Sequence, residues 1–248
     1  MILNKLEMEF LGTFIFTYII GFLYVQHSLE YITLFELAVG AFCIYSVLLW
    51  VGCAVSGSQY NPAITLNLMF SRHIAVHKGM LYIFFQMFAS IFAICLLRLC
   101  LTSEDLNRLN DSTMLGFPIN DQVKLFEKIV IEVIGSFFLV FSYYMLILEK
   151  TAPKYVYGAG IAGVFCFVLL FSHKYSGAGL NPARMIAYAI ISRKYSTSII
   201  YILGTLIGGI LGSILGNLLL SEKAMISKLK RLRKKEKKFR KQREKKKK

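Results

Sequence analysis

Two segments of the chain repeat one polar pattern: Ser-Gly, then three residues, then Asn-Pro-Ala. The first copy covers residues 56–63 and the second covers residues 176–183, directly followed by Arg184. Asn is a preferred N-cap and Pro fits the first helical position, so a lone Asn-Pro-Ala predicts only an ordinary capped helix. Both copies, however, lie between long apolar runs. There, two helix N-termini can offer unpaired N–H donors and partial positive charge to a polar solute.

The repeated pattern extends upstream of these two segments. Residues 9–14 resemble residues 132–137, and each stretch begins with a glutamate, Glu9 or Glu132. These stretches are 123 residues apart and the Asn-Pro-Ala copies are 120 residues apart, which indicates an internal duplication. In membrane transporters built from repeats, the binding site commonly lies where broken helices of the two halves meet.

The elements that would position these residues are apolar and long. The chain is 56% hydrophobic and 17% charged, and six runs contain no charged residue: 10–25, 37–55, 79–97, 133–148, 155–173 and 195–221. A membrane span needs about 20 such residues, and the first and fourth runs reach that length only with the residues around their glutamates included. The segments after each Asn-Pro-Ala, 61–70 and 181–191, cover about half the membrane at 1.5 Å per residue. The sequence therefore predicts an all-α membrane protein with six transmembrane helices plus two half-helices around an internal aqueous path.

The charge distribution predicts the topology. The net charge is +15, and residues 221–248 hold 16 Lys and Arg against three Glu. This basic tail has no apolar period, so we expect it to be disordered and to bind anionic lipid rather than nucleic acid. The loop 71–78 is also basic and the loop 102–127 is acidic, which predicts a multi-pass protein with both termini cytosolic, in the plasma membrane or an internal membrane. Asn110 begins a sequon in the external loop and is a glycosylation candidate.

Taken together, these motifs resemble the aquaporin, or major intrinsic protein, family over about residues 6–220. The resemblance rests on the paired Asn-Pro-Ala boxes, on Arg184 and on the glutamate that opens each half. It implies a channel domain over residues 1–220, in which repeat 1 (about 6–101) and repeat 2 (about 127–220) form an inverted repeat, and it implies a homotetramer. An enzyme is not expected, because no nucleophile with a base, metal cluster or phosphate loop is evident; no cofactor and no metal are predicted.

The resemblance also implies roles for single residues. The central pore would be lined by the two boxes: Asn61, Pro62, Ala63, Asn181, Pro182 and Ala183. Each asparagine would cap its own helix and offer a free NH2 group to water. Glu9 and Glu132 would hold the loops leading to the boxes, although a carboxylate near a helix start can also lie at the headgroups.

An outer selectivity filter is the remaining implied site. Arg184 would line it, with snorkelling to the headgroups as the alternative, and Ala178 and Leu169 would lie beside it. Val39 is the predicted fourth member, and Gly40 or Ala41 are alternatives.

The predicted filter lacks the aromatic residue and the histidine of water-selective relatives. Val39 and Leu169 stand in their place, so we expect a wider, more apolar filter. The predicted function is a passive channel for water that also leaks glycerol or urea. Two alternatives stay open: a facilitator mainly for glycerol or another small neutral solute, and a non-conducting membrane scaffold or adhesion protein.

Overall fold

The computed structural model describes residues 2–109, 113–148 and 154–246, and most of them are helical. The helices are α1 (Ile2–Ser28), α2 (Leu34–Cys53), α3 (Pro62–Phe70), α4 (Val76–Cys100), α5 (Ser103–Arg108), α6 (Leu125–Tyr143), which continues as a π-helical turn (Tyr144–Leu148), α7 (Lys154–Ser172), α8 (Pro182–Ser192) and α9 (Tyr195–Lys246). Two short antiparallel strands, β1 (Thr113–Met114) and β2 (Phe117–Pro118), form a hairpin. The glycosylation candidate Asn110 lies outside the described residues.

Five of these helices are long and apolar enough to cross a membrane, and the apolar part of α7, Val156–Ser172, is somewhat shorter. The predicted mostly helical membrane fold is therefore confirmed. Helix α1 extends beyond the first apolar run, 10–25, at both ends. It includes Glu9, as the short length of that run requires. The hairpin is an addition that the all-α prediction did not contain.

The helix contacts follow the internal duplication. The first and last helices of each repeat pack together, α1 on α4 and α6 on α9, while α2 packs on α7 across the repeats. Each half-helix also contacts the last helix of the other repeat, α3 on α9 and α8 on α4. The two half-helices are therefore surrounded by protein from both repeats, which satisfies the requirement for irregular backbone inside a membrane.

A close contact between α6 and α9 positions one of the two repeated glutamates. A Cβ atom at Gly208 of α9 would lie 2.2 Å from the Val133 carbonyl oxygen of α6, and one at Gly204 would lie 2.6 Å from Glu132 Cβ. Only glycine permits this approach. The ridge of small residues on α9 thus holds Glu132 deep in the bundle, where its side chain is fully buried.

The C-terminal segment differs from our expectation of disorder. Helix α9 continues without interruption from the last span to Lys246. Lys, Arg and Glu are among the better helix formers, and extending an existing helix avoids the cost of nucleation. The last span therefore supplies the nucleus from which the basic segment continues as helix.

Candidate functional site

The two Asn-Pro-Ala boxes start the two half-helices, as the sequence predicts. Asn61 is the N-cap of α3, and its Oδ1 accepts a hydrogen bond from Ala63 N at 2.9 Å. Asn181 caps α8 in the same way, accepting from Ala183 N at 3.1 Å. A proline occupies the first turn of each helix, where a missing N–H costs nothing.

Two reciprocal hydrogen bonds join the boxes although 120 residues separate them. Asn61 Nδ2 donates to the Leu180 carbonyl at 2.7 Å, and Asn181 Nδ2 donates to the Tyr60 carbonyl at 2.9 Å. Each amide thus contacts the residue that precedes the opposite asparagine. The NH2 group of each asparagine was expected to be free. One of its two N–H groups is instead hydrogen-bonded to the opposite loop. One N–H donor per asparagine is left to bind a solute.

The loops that lead into the boxes share an unusual backbone conformation. Equivalent residues in the two copies have positive φ angles: Gly57 (101°), Ser58 (52°) and Tyr60 (48°) in the first, and Gly177 (77°), Ala178 (56°) and Leu180 (49°) in the second. For residues other than glycine, this conformation is uncommon and costs of the order of 1 kcal/mol or more each. The loops therefore need strong anchors.

The first anchor is Glu9, which is fully buried. Its carboxyl oxygens accept hydrogen bonds from Gln59 N at 3.0 Å and Tyr60 N at 2.8 Å, and from Ser56 Oγ at 2.6 Å. Gln86 Nε2 of α4 adds a fourth hydrogen bond at 2.8 Å. The first loop is thus held through its own backbone N–H groups.

Glu132 anchors the second loop with the same geometry. It accepts from Gly179 N at 2.8 Å, Leu180 N at 2.9 Å and Ser176 Oγ at 2.7 Å. In each repeat, the serine of the Ser-Gly pattern therefore donates a hydrogen bond to the glutamate near the start of the same repeat. Among the described residues, no counterpart of Gln86 donates to Glu132, so Glu132 accepts three hydrogen bonds where Glu9 accepts four.

Two tyrosines that the sequence did not single out hold the same loops from the opposite repeat. Tyr143 of α6 donates to the Gly57 carbonyl at 2.6 Å, and Tyr24 of α1 donates to the Gly177 carbonyl. Each hydroxyl uses one of the two lone pairs of a carbonyl oxygen in a strained loop. A tyrosine in an apolar run gives no signal of this role, because it equally suits the membrane interface.

Arg184 lies in the first turn of α8 and is completely buried. Its Nη2 donates to the Ala178 carbonyl at 2.8 Å, while Nε and Nη1 have no acceptor within the described part of the protein. Snorkelling to the surface does not occur in this geometry. Two fixed donors and a full positive charge are instead directed into the interior of the bundle.

Aromatic rings surround the Arg184 guanidinium. Its Cζ lies 5.4 Å from the ring centre of Tyr24, 5.8 Å from Phe165 and 5.9 Å from both Phe16 and Phe117. The Phe117 ring comes from the β-hairpin between the repeats, so part of the acidic connecting segment enters the bundle. Sequence reasoning missed all four. Only Phe16 carried a usable signal, since it lies seven residues, or about two turns, after Glu9 on the same helix face.

The predicted filter members lie in three different settings. Ala178 contacts Arg184 through its carbonyl group. Leu169 is fully buried on α7, one turn after Phe165. Val39 is 41% exposed and shares an outward-facing stripe of α2 with Cys43 and Val47. The assignment of Val39 to the filter is therefore wrong.

The inward face of α2 is formed by other residues. Leu37, Ala38, Ala41 and Tyr45 are buried there. Of the two alternatives that the sequence left open, Ala41 lies on this inward face, whereas Gly40 is half-buried and contacts Leu23.

Comparison with known proteins decides which family has this arrangement. The sequence profile described as "Major intrinsic protein" matches residues 2–215, which is most of the chain. The chain belongs to the major intrinsic protein family. It is accordingly an integral, multi-pass membrane protein.

Individual relatives of the family agree with this assignment. Aquaporin TIP4-1 of Arabidopsis thaliana is 31% identical over 216 residues, which cover 84% of this chain and 82% of the relative. Aquaporin-8 of Botryotinia fuckeliana is 31% identical over 164 residues, which cover 64% of this chain but only 47% of that longer protein. The X-ray structure of the aquaglyceroporin from Plasmodium falciparum has the same fold, with a TM-score of 0.73 over 87% of this chain and 94% of that chain, at 14% identity.

Proposed function

We propose that this major intrinsic protein is a channel, not an enzyme, that conducts water and small neutral solutes passively across a membrane. The observation that carries the proposal is the pair of hydrogen bonds between the boxes, Asn61 to the Leu180 carbonyl and Asn181 to the Tyr60 carbonyl. They bring two half-helix N-termini together inside a bundle of membrane-spanning helices. The relatives named aquaporin and aquaglyceroporin support a path for water and small neutral solutes.

The proposed mechanism follows from the donors that remain. The second N–H of each asparagine can donate to the oxygen of a passing water molecule, which then cannot relay a proton along the file. The N-termini of α3 and α8 each carry about half a positive charge, so the centre of the path repels cations and protons. Farther along the path, Arg184 adds a full positive charge. Its two unpaired donor atoms, Nε and Nη1, can replace the hydrogen bonds that a solute loses when it leaves bulk water.

The test is stopped-flow swelling of proteoliposomes in gradients of water, glycerol, urea and ammonia. We expect water flux well above that of empty vesicles, with urea and glycerol slower. Asn61→Asp keeps the capping oxygen but removes both N–H donors and adds negative charge, so we expect lower water flux and weaker cation exclusion. Asn107→Asp on the exposed surface of α5 is the matched control. Water flux equal to that of empty vesicles would favour the non-conducting scaffold instead.

The topology is proposed from charge alone. Both termini and the loop 71–78 would face the cytosol, because the basic residues cluster there. The basic segment after residue 221 would bind anionic lipid at the membrane surface. Cysteine labelling from each side of sealed vesicles, with single cysteines at the N-terminus and in the loop 102–109, tests this topology. Labelling of both positions from the same side would contradict it.

A homotetramer is proposed from the family resemblance. Light scattering of the purified protein in detergent, corrected for bound detergent, measures the number of subunits. We expect four. A monomer that still conducts water would show that each chain contains a complete path.

A further inference from the structure

Two histidines from opposite repeats are in contact, although 146 residues separate them in the sequence. His27 lies in the last turn of α1, and His173 directly follows α7. Their ring centres are 4.7 Å apart, and their ring planes are inclined at 77°. Neither residue belongs to the repeated segments 56–63 and 176–183, so the proposed channel function gives the pair no role. Because the pair has no local spacing, the sequence analysis expected no metal here.

The hydrogen bonds around the pair leave one ring nitrogen of each histidine available. His27 Nδ1 lies 3.0 Å from the Ile32 carbonyl oxygen. Because a carbonyl oxygen can only accept, Nδ1 carries the hydrogen, and Nε2 of the neutral ring keeps its lone pair. A backbone carbonyl that orients the ring in this way is common for histidines that bind metals. His173 Nε2 is shielded from solvent and has no hydrogen-bond partner in the described part of the protein.

The surroundings of His173 keep its ring in place and neutral. The ring stacks against Tyr24 with the ring centres 5.9 Å apart, and the backbone N of His173 donates to the Leu169 carbonyl at 3.0 Å. Burial, and secondarily the neighbouring His27, lowers the pKa of His173 to about 4. The imidazole is therefore neutral near pH 7, which is the form that binds a metal ion.

The separation of the two rings matches that of two imidazoles bound to one metal ion. Zinc binds a histidine nitrogen at about 2 Å, which places the ion about 3 Å from the ring centre, and two such rings on a tetrahedral ion have centres about 5 Å apart. The observed distance of 4.7 Å is close to this value. Imidazole nitrogens suit Zn²⁺, Cu²⁺ and Ni²⁺, whereas Ca²⁺ and Mg²⁺ take oxygen ligands.

We propose that His27 and His173 form a binding site for a divalent transition metal ion, with Zn²⁺ as its representative, between the end of α1 and the end of α7. Within residues 2–109, 113–148 and 154–246, no group of three or more His, Cys, Asp and Glu side chains is placed to hold a metal. Water molecules therefore complete the coordination, and the bound ion exchanges with the medium. Because the two ligands come from opposite repeats, the ion ties the repeats together close to the loop that contains Gly177.

Thermal unfolding of the full-length protein, purified in detergent without a polyhistidine tag, measures the binding of Zn²⁺. An ion that binds the folded state and not the unfolded state raises the Tm. The two test variants are His27→Gln, whose amide can still donate to the Ile32 carbonyl, and His173→Phe, which keeps a ring against Tyr24. Each removes one proposed ligand, and the unfolding transition itself shows whether the variant is folded.

Two controls distinguish this site from other metal-binding groups. The double variant His73→Gln, His77→Gln removes the remaining two of the four histidines in the chain. The exposed thiols of Cys43 and Cys100 are the other candidates for zinc ligands. Titration with Co²⁺ identifies thiolate ligands, because they give a strong near-ultraviolet charge-transfer absorption that nitrogen ligands do not give.

We expect excess Zn²⁺ to raise the Tm of the parent and of the double histidine control by at least about 3 °C. Both test variants should lose most of this shift, and Co²⁺ should bind the parent without a thiolate band. A parent whose Tm does not respond to Zn²⁺ would overturn the proposal, as would an equal shift in either folded test variant. Loss of the shift in the control, or a thiolate band, would assign the metal to other residues. None of these measurements depends on conduction, so their outcome is independent of the proposed function.

Discussion

Replacing Glu132 with glutamine tests whether the buried carboxyl group holds the second loop. One carboxyl oxygen accepts from Ser176 Oγ and Gly179 N, and the other accepts from Leu180 N. Glutamine has the same shape but only one acceptor oxygen. The serine hydroxyl can rotate and become an acceptor, whereas a backbone N–H cannot, so either Gly179 N or Leu180 N loses its partner.

The loss of stability expected for Glu132→Gln follows from that single unpaired donor. A buried N–H without an acceptor costs about 1–3 kcal/mol, and for a protein of this size 1 kcal/mol shifts the Tm by about 2–4 °C. We therefore expect Glu132→Gln to lower the Tm by about 2–12 °C. Glu132→Ala leaves both backbone donors without an acceptor and should lower the free energy of unfolding by roughly twice as much. Because Ala178 and Leu180 have strained positive φ angles, the released loop should relax, displace the Asn181 amide and reduce water flux.

The assay is thermal unfolding of the detergent-purified protein, followed by flux measurements on the folded variants. Glu36→Gln is the matched control. Glu36 is exposed and completes a capping box with Thr33 at the start of α2, and glutamine also serves at that position. We expect the control to stay within about 0.5 kcal/mol of the parent. The reasoning is refuted if Glu132→Gln unfolds at the same temperature as the control and conducts water like the parent.

Three further predictions follow from charge and burial. Arg184→Val should preserve or raise the flux of neutral solutes and increase proton and cation leakage, because the fixed charge is lost; unchanged ion exclusion in a folded variant would remove Arg184 from the filter. The segment after residue 221 should bind anionic vesicles, and binding should fall steeply with salt, since the Debye length is about 8 Å at physiological ionic strength; salt-insensitive binding would indicate a specific partner. Burial, and secondarily the neighbouring His27, lowers the pKa of His173 to about 4. The unfolded state therefore binds more protons than the folded state between about pH 6.5 and pH 4, and stability should decrease as the pH falls through that window. His173→Phe should reduce this pH dependence of the Tm and His77→Ala, an exposed control, should not; equal effects of the two would contradict the assignment.

Local signals explain what the sequence alone could predict. Asn-Pro determines where a short helix begins, because capping and the missing proline N–H act within one turn. Lengths of apolar runs predict spans. The family resemblance implies that the repeated glutamates are anchors, and their equivalent positions in the two repeats favour that role. The local signals located both half-helices and the duplication, and the family resemblance added the roles of Arg184 and of both carboxyl groups.

The family resemblance implied that the two boxes meet, but the atoms that join distant segments were beyond the sequence. The bonds from Asn61 to the Leu180 carbonyl and from Asn181 to the Tyr60 carbonyl join opposite repeats, and no local pattern encodes them. The hairpin that carries Phe117 next to Arg184 lies in a segment whose charge predicts only an exposed loop. A tertiary structure was needed to show that part of it enters the bundle.

The orientation of the apolar helices shows most clearly what the sequence could not predict. In a soluble helix, polar residues mark the outer face, but a transmembrane helix such as α2 is apolar toward lipid and toward protein alike. Hydrophobic periodicity therefore cannot distinguish Val39, which faces outward, from Tyr45, which faces Phe16 and Phe165. The sequence by itself placed an asparagine at the start of each half-helix, and the family resemblance added Arg184 to them. Only the tertiary structure decided that Tyr45 and not Val39 lies inside the bundle, because that choice depends on helix rotation and not on composition.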